Sequence, residues 1–153
     1  MVLAYEDSAE FFYAVKNIRG CAMNVLLYAA KNTESGERLK QSIAMRESLG
    51  SLTDCWNLTD LMHHFHTPDP LPETVVLQAA SKQELRFFEL FRSRLEQVFF
   101  ILVLPDADAE TVACGHQLRP RFIAYQDSDF SEVGAVLDRL DARHSSSGYF
   151  YTL

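Results

Sequence analysis

Histidines crowd into "LMHHFHTPD", where His63, His64 and His66 stand near Asp69, with Cys55 upstream. Imidazole, thiolate and carboxylate groups in such proximity are zinc or copper ligands. His63 and His66 share a helical face, but no obvious fourth ligand accompanies them. A histidine at a helix end also interacts well with the terminal carbonyls, and that is the expectation here. Carboxylates form two further groups, Asp106, Asp108 and Glu110, then Asp127 and Asp129. Asp106 and Asp127 are the candidate ligands for a divalent cation, which takes carboxylate oxygens. The competing expectation is that these acids sit at helix N-termini, where the helix dipole favours negative charge. Cys114 and His116 are two apart and diverge on a helix, so they make a poor nucleophile–base pair. Cysteines of this kind are usually small core residues. Neither a metal nor a catalytic thiol is expected, and the chain reads as a non-enzyme without a cofactor.

The surrounding composition argues against a polyanion-binding role. The 153 residues carry 14 Lys plus Arg against 21 Asp plus Glu, a net charge of −7. An acidic surface disfavours non-specific contact with nucleic acid or anionic membrane. Three dispersed cysteines, Cys21, Cys55 and Cys114, do not form a disulfide framework and suit a reducing compartment. The acidic start "MVLAYEDSAEFF" lacks the basic region of a signal peptide. The expected location is the cytoplasm.

The elements that must position these groups alternate in type. In "DSAEFFYAVKNIRG", Asp7 and Glu10 have the spacing of a capping box, and Phe11, Val15 and Ile18 share a face beside Phe12. This predicts an amphipathic helix over residues 8–19, closed by Gly20. "MNVLLYAA" is a continuous apolar run, as in a strand buried on both faces. Thr33 or Ser35 can cap the next helix, whose stripe is Leu39, Ile43 and Leu49, with Gly50 as its stop. "SLTDCWN" reads as a second strand, "LTDLMHHF" as a helix and "TVVLQAA" as a third strand. "SKQELRFFELFRSRLEQ" is the clearest helix, with Leu85, Phe88, Phe91 and Leu95 on one face. "VFFILVLP" and "PRFIAYQ" are strands, separated by the helix "DAETVACGHQL", and Ser131 to Leu140 form the last helix. The tail "ARHSSSGYFYTL" opens as a linker and ends in aromatics.

Five strand–helix repeats imply a parallel sheet with right-handed crossovers and helices on both faces, an α/β three-layer sandwich. The division expected is an N-terminal helical extension (1–22), a (βα)5 domain (23–142) and a C-terminal tail (143–153). Ligands of such sheets bind beyond the carboxyl ends of the strands. Those ends are Ala29 to Lys31, Gln78 to Ser81, Leu104 to Asp106 and Tyr125 to Asp127.

In element order, element lengths and the register of "NVLLYAAKNTESGERLKQSI", the chain resembles a bacterial response-regulator receiver domain. The resemblance implies a doubly wound, flavodoxin-like sheet of five parallel strands and a role in signalling. It also implies chemistry that these residues do not supply. The family has a magnesium-binding acidic pair after its first strand, where this chain has Ala29 and Ala30, followed by Lys31. The family's phospho-accepting Asp closes the third strand, where this chain offers Gln78, Ala79 and Ala80. After strand four the family's Thr or Ser is replaced by Val103 and Leu104, and after strand five its Lys by Tyr125 and Gln126. Alanines supply no oxygen for magnesium, and phosphoryl transfer depends on such charge neutralisation. The expectation is a pseudo-receiver: a non-phosphorylatable regulatory or protein-interaction module of bacterial signalling or transcription regulation, in which no helix-turn-helix segment is visible.

The stretch "YAAKNTESG" also looks like the phosphate loop of flavodoxins, with Lys31, Asn32 and Thr33 as candidate contacts to FMN or a nucleotide phosphate. The glycine that lets the backbone approach the phosphate is absent there. A small metal-dependent hydrolase using the acidic strand ends is a further alternative. For a module that works by contact, the expected partner is a signalling protein or a second copy in a homodimer. Phe11, Phe12, Tyr149 and Phe150 are the candidate interface residues.

Overall fold

The computed structural model describes residues 23–30, 33–46, 49–67 and 71–140. The predicted helix over 8–19, with Phe11 and Phe12, and the tail, with Tyr149 and Phe150, lie outside the described residues. So do Lys31, Asn32 and Asp69.

Strands β1 (Met23–Tyr28), β2 (Leu49–Cys55), β3 (Thr74–Gln78), β4 (Phe99–Leu104) and β5 (Phe122–Tyr125) form one sheet. All neighbours are parallel, in the order β2-β1-β3-β4-β5. The connecting helices are α1 (Glu34–Ala44), α2 (Leu58–His66), α3 (Lys82–Phe88), α4 (Arg92–Leu95), α5 (Ala109–Gln117) and α6 (131–140). A 3₁₀ turn, Glu89–Phe91, joins α3 to α4.

The side-chain alternation of the strands divides the core into two layers. Leu26 and Tyr28 of β1, Val75 and Leu77 of β3, and Phe100, Leu102 and Leu104 of β4 face α2 to α5. Val25 and Leu27, Val76, Ile101 and Val103 face the other way, against Leu39 and Ile43 of α1 and Val133 and Leu137 of α6. The inner strands are apolar on both faces because helices cover both, as their continuous apolar runs predict.

Two boundaries differ from expectation. Leu49 and Gly50 do not continue α1. That helix ends at Ala44 with Met45 as its cap, and Leu49 and Gly50 open β2. Leu49 pairs with Met23 across the sheet, and this pairing outweighs its fit to the Leu39–Ile43 stripe. The helix over "SKQELRFFELFRSRLEQ" is interrupted at Glu89–Phe91. Its buried positions are spaced by three, three and four residues, tighter on average than an α-helical turn. One turn with three residues per turn keeps Phe91 on the core and leaves Leu90 71% exposed. Of the phenylalanines in this region, Phe88, Phe91 and Phe100 are core, while Phe87 and Phe99 are half-buried.

Candidate functional site

At the carboxyl edge of the sheet, β1 ends in Ala29 and Ala30, and Ala29 is buried. Thr33 then caps α1. Its hydroxyl accepts from the Gly36 N–H (3.1 Å) and donates to the Ala30 carbonyl (3.0 Å). The candidate phosphate contact Thr33 therefore holds the loop to the helix. This turn is tight enough to need glycine at position 36: a Cβ there would stand 2.6 Å from Thr33 Oγ1 and 2.8 Å from the Ala30 oxygen.

Gln78 closes β3 and is only 4% exposed. Its Nε2 donates to Ser35 Oγ at 3.0 Å, tying β3 to the first turn of α1. The pair occupies the end of the third strand with neutral groups.

Arg38 was not anticipated from the sequence. Its Nη1 and Nη2 donate to the carbonyls of Ser128 (2.6 Å) and Gln126 (3.2 Å), strapping α1 to the loop after β5. The guanidinium also lies over the Phe130 ring, 5.4 Å from its centroid. Phe130 takes a left-handed backbone (φ 61°) and is buried. Such a conformation costs a bulky residue roughly 1–3 kcal/mol and persists where surroundings hold it. Here the Arg38 strap and the buried ring do so. One sequence signal existed: Arg38 lies three residues after Ser35, on the same helical face. Arg38→Ala is expected to cost about 1.5–3 kcal/mol, since it removes charge-assisted hydrogen bonds. Hydrogen exchange should locate the loss at residues 126–130.

The candidate metal ligands do not converge. Asp106 Oδ1 accepts from the Asp108 N–H (2.9 Å), and Asp129 Oδ1 accepts from the Ser131 N–H at the start of α6 (2.9 Å). That second bond holds the Asp129 carboxyl below its usual range. Glu110 pairs with Lys82. Asp127 lies in the turn after β5, beside the Arg38 strap. Among the described residues, no three His, Cys, Asp or Glu side chains are grouped as a metal would require. His63, His64 and His66 fall in the last turn of α2, as expected of residues that favour a helix C-terminus. His66 Nδ1 lies 3.0 Å from the Met62 carbonyl, and its ring meets Phe91 edge-on. Cys55 is fully buried, and Cys114 is half-buried on α5.

Beside Ala29 and Ala30, a hollow of about 80 Å³ opens between α1 and the ends of β1 and β2. Lys40, Asp54 and Trp56 rim it. Lys40 Nζ is 2.8 Å from Asp54 Oδ2, which also accepts from Trp56 Nε1 at 2.7 Å. The hydrogen bond that Lys40 donates to Asp54 raises the Lys40 pKa and holds it charged, with the Asp54 carboxylate as its counter-ion. The signal in the sequence was Asp54 two residues before Trp56 at a strand end.

On the opposite face, the Tyr28 hydroxyl donates to Glu84 Oε2 (3.0 Å), and Glu84 Oε1 accepts from the Ala80 N–H (2.9 Å). Burial, then the Glu84 charge, raises the Tyr28 pKa well above its ordinary 10. Burial also pushes the Cys55 thiol up to about 11. Both groups are acids favoured neutral by folding. Their contribution is complete below their unfolded pKa values and falls as pH rises through the folded ones. Stability should therefore decline above about pH 9 to 10. In Tyr28→Phe, the melting temperature should fall less steeply across pH 9–11, while at pH 7 the lost hydrogen bond costs about 1 kcal/mol. Parallel melting curves would refute this assignment.

No helix among the described residues is long and apolar enough to cross a membrane. No protein-family model matches the chain, and no curated protein matches it. Among solved structures, the fold is similar to the crystal structure of the phosphorylated cyanobacterial phytochrome response regulator RcpA. The TM-score is 0.56 at 7% identity, covering 78% of this chain and 91% of that one. At that identity the likeness is one of fold, and the chain has a receiver-like, flavodoxin-like architecture.

Proposed function

We propose that this chain is a receiver-like module of bacterial signalling or transcription regulation that acts through protein contacts and does not accept a phosphoryl group. The observation that carries the reading is the pairing of Gln78 with Ser35 at the end of β3, beside Ala29 and Ala30 at the end of β1. In the family this fold resembles, those strand ends hold the carboxylates for magnesium and phosphate. Here the amide is neutral and buried, and Lys40, which rims the hollow beside Ala29 and Ala30, is already paired with Asp54. Nothing at these positions balances the charge of a transferring phosphoryl group. The expected mode of action is binding to a protein partner or a second copy.

The test is incubation with a small acyl phosphate and magnesium, followed by intact-mass measurement. No magnesium-dependent phosphoryl adduct should form. Stoichiometric labelling that requires magnesium would overturn the reading, wherever the label maps.

A further inference from the structure

The amino edge of the sheet, opposite the strand ends discussed above, carries an apolar hollow of about 200 Å³. Phe99 opens β4, Phe122 opens β5, and both line it with Val136 and Leu140 of α6. A smaller hollow of about 120 Å³ adjoins it and shares Phe99 and Leu140. The two ends differ in charge. Arg121 and Arg139, both exposed, border the larger hollow. The Arg121 guanidinium rests over the Phe99 ring, 5.7 Å from its centroid. Neither arginine is ion-paired with a carboxylate among the described residues, although acids outnumber bases in the chain by 21 to 14. At the far end Glu73 lines the smaller hollow beside Met23, and its Oε1 accepts from the Asn24 N–H (3.0 Å).

We propose that this hollow binds a small organic acid, a carboxylate on an apolar body of about one ring. The size fits: a dry apolar cavity of about 150 Å³ already admits benzene. The wall supplies phenyl and aliphatic surface for the body, and burying it drives binding. The head belongs at the arginines, because a guanidinium fork matches a carboxylate with two parallel N–H···O bonds. Glu73 repels a carboxylate at the other end, so one orientation is favoured. A bare inorganic anion would leave the phenyl wall wet, and a neutral apolar molecule would leave both cations unused. The arginines are exposed and screened by water, so each adds modestly to the affinity. The hollow lies at the opposite edge of the sheet from Gln78, so its occupancy is independent of the phosphoryl-transfer test.

The test is titration of the full chain with 3-phenylpropionate, read by amide shifts in two-dimensional NMR, with 3-phenyl-1-propanol and acetate alongside. The acid should saturate with a Kd of about 1 mM or tighter and move the amides of Phe99, Arg121 and Phe122. The alcohol has the same ring without the charge and should bind about fivefold or more weakly. Acetate should give no saturating shift over the same range. Arg121→Gln with Arg139→Gln should bring the acid down to the affinity of the alcohol and leave the alcohol unchanged. These side chains are exposed, so the body should still fold, which the amides of β1 and β3 report in the same spectra. Leu140→Trp, which fills the hollow, should weaken acid and alcohol alike. Equal binding of acid and alcohol would overturn the proposal, as would acid binding indifferent to the arginines or to Leu140→Trp. So would shifts confined to other parts of the sheet, or no saturable response at all, whether the hollow stays empty or the chain's own ends fill it.

Discussion

Phe88→Ala is expected to destabilise the protein by about 3–5 kcal/mol and to lower its melting temperature by about 10 °C or more. The ring is fully buried between the sheet and α3. It meets Tyr28 edge-on, with centroids 5.9 Å apart and planes at 84°, so truncation removes an aromatic pair as well as packing. Tyr28 is itself fixed through its hydroxyl to Glu84, which limits how far the site can collapse onto the void. Leu90→Ala, two residues along, should change stability by no more than about 0.5 kcal/mol, because Leu90 is exposed in the 3₁₀ turn. Urea unfolding tests both: the midpoint should move for Phe88→Ala alone, with the slope unchanged. Equal effects would show that α3 and the turn do not pack as described.

Gly36→Ala should reverse the usual helix rule. In an exposed helix, alanine gains up to about 1 kcal/mol over glycine. Here the new Cβ would collide with the Ala30 carbonyl as well as the Thr33 hydroxyl. A carbonyl cannot rotate aside as a side chain can, so the loop and the Thr33 cap must shift together. The expected net loss is about 1–3 kcal/mol. Gly134→Ala provides the contrast. Its Cβ would meet the Arg46 guanidinium, the far end of a flexible side chain that pairs with Asp138. That substitution should be neutral or mildly stabilising. Thermal melts of the two variants should therefore move apart, and a stabilised Gly36→Ala would refute the described turn.

The fold was legible where burial on both faces writes a continuous apolar run. "VLLY", "TVVL" and "FFILVL" read as inner strands of a helix-covered sheet, being short, rich in β-branched and aromatic residues or bounded by turn residues. The edge strand β2 was harder. It is mostly half-buried, and its first residues, Leu49 and Gly50, imitate the end of a helix: an apolar residue in phase, then a glycine stop. The break at Glu89–Phe91 carries no proline or glycine, so nothing local announces it; only the packing of Phe91 requires it. The strand-end residues Ala29, Ala30 and Gln78 could be read off directly, because position at a strand end follows from the run itself. Arg38 could not. Its partners, Gln126 and Ser128, are 88 and 90 residues away in the chain, and they are backbone carbonyls that any residue type presents.

The strand order has a consequence for the chain as it is made. β1 is flanked by β2, which follows it closely, and by β3, which does not. Translation at roughly 5–20 residues per second leaves about 3–10 s between the emergence of Tyr28 and that of Gln78. During that interval β1, α1 and β2 can associate, but the β1 edge bearing Val25 to Leu27 has no neighbour. That nascent edge is apolar and open to pairing with other chains. Once "TVVLQ" has paired with β1 the open edge passes to β3, so chaperone demand should begin before β3 is made and persist until β4 covers it.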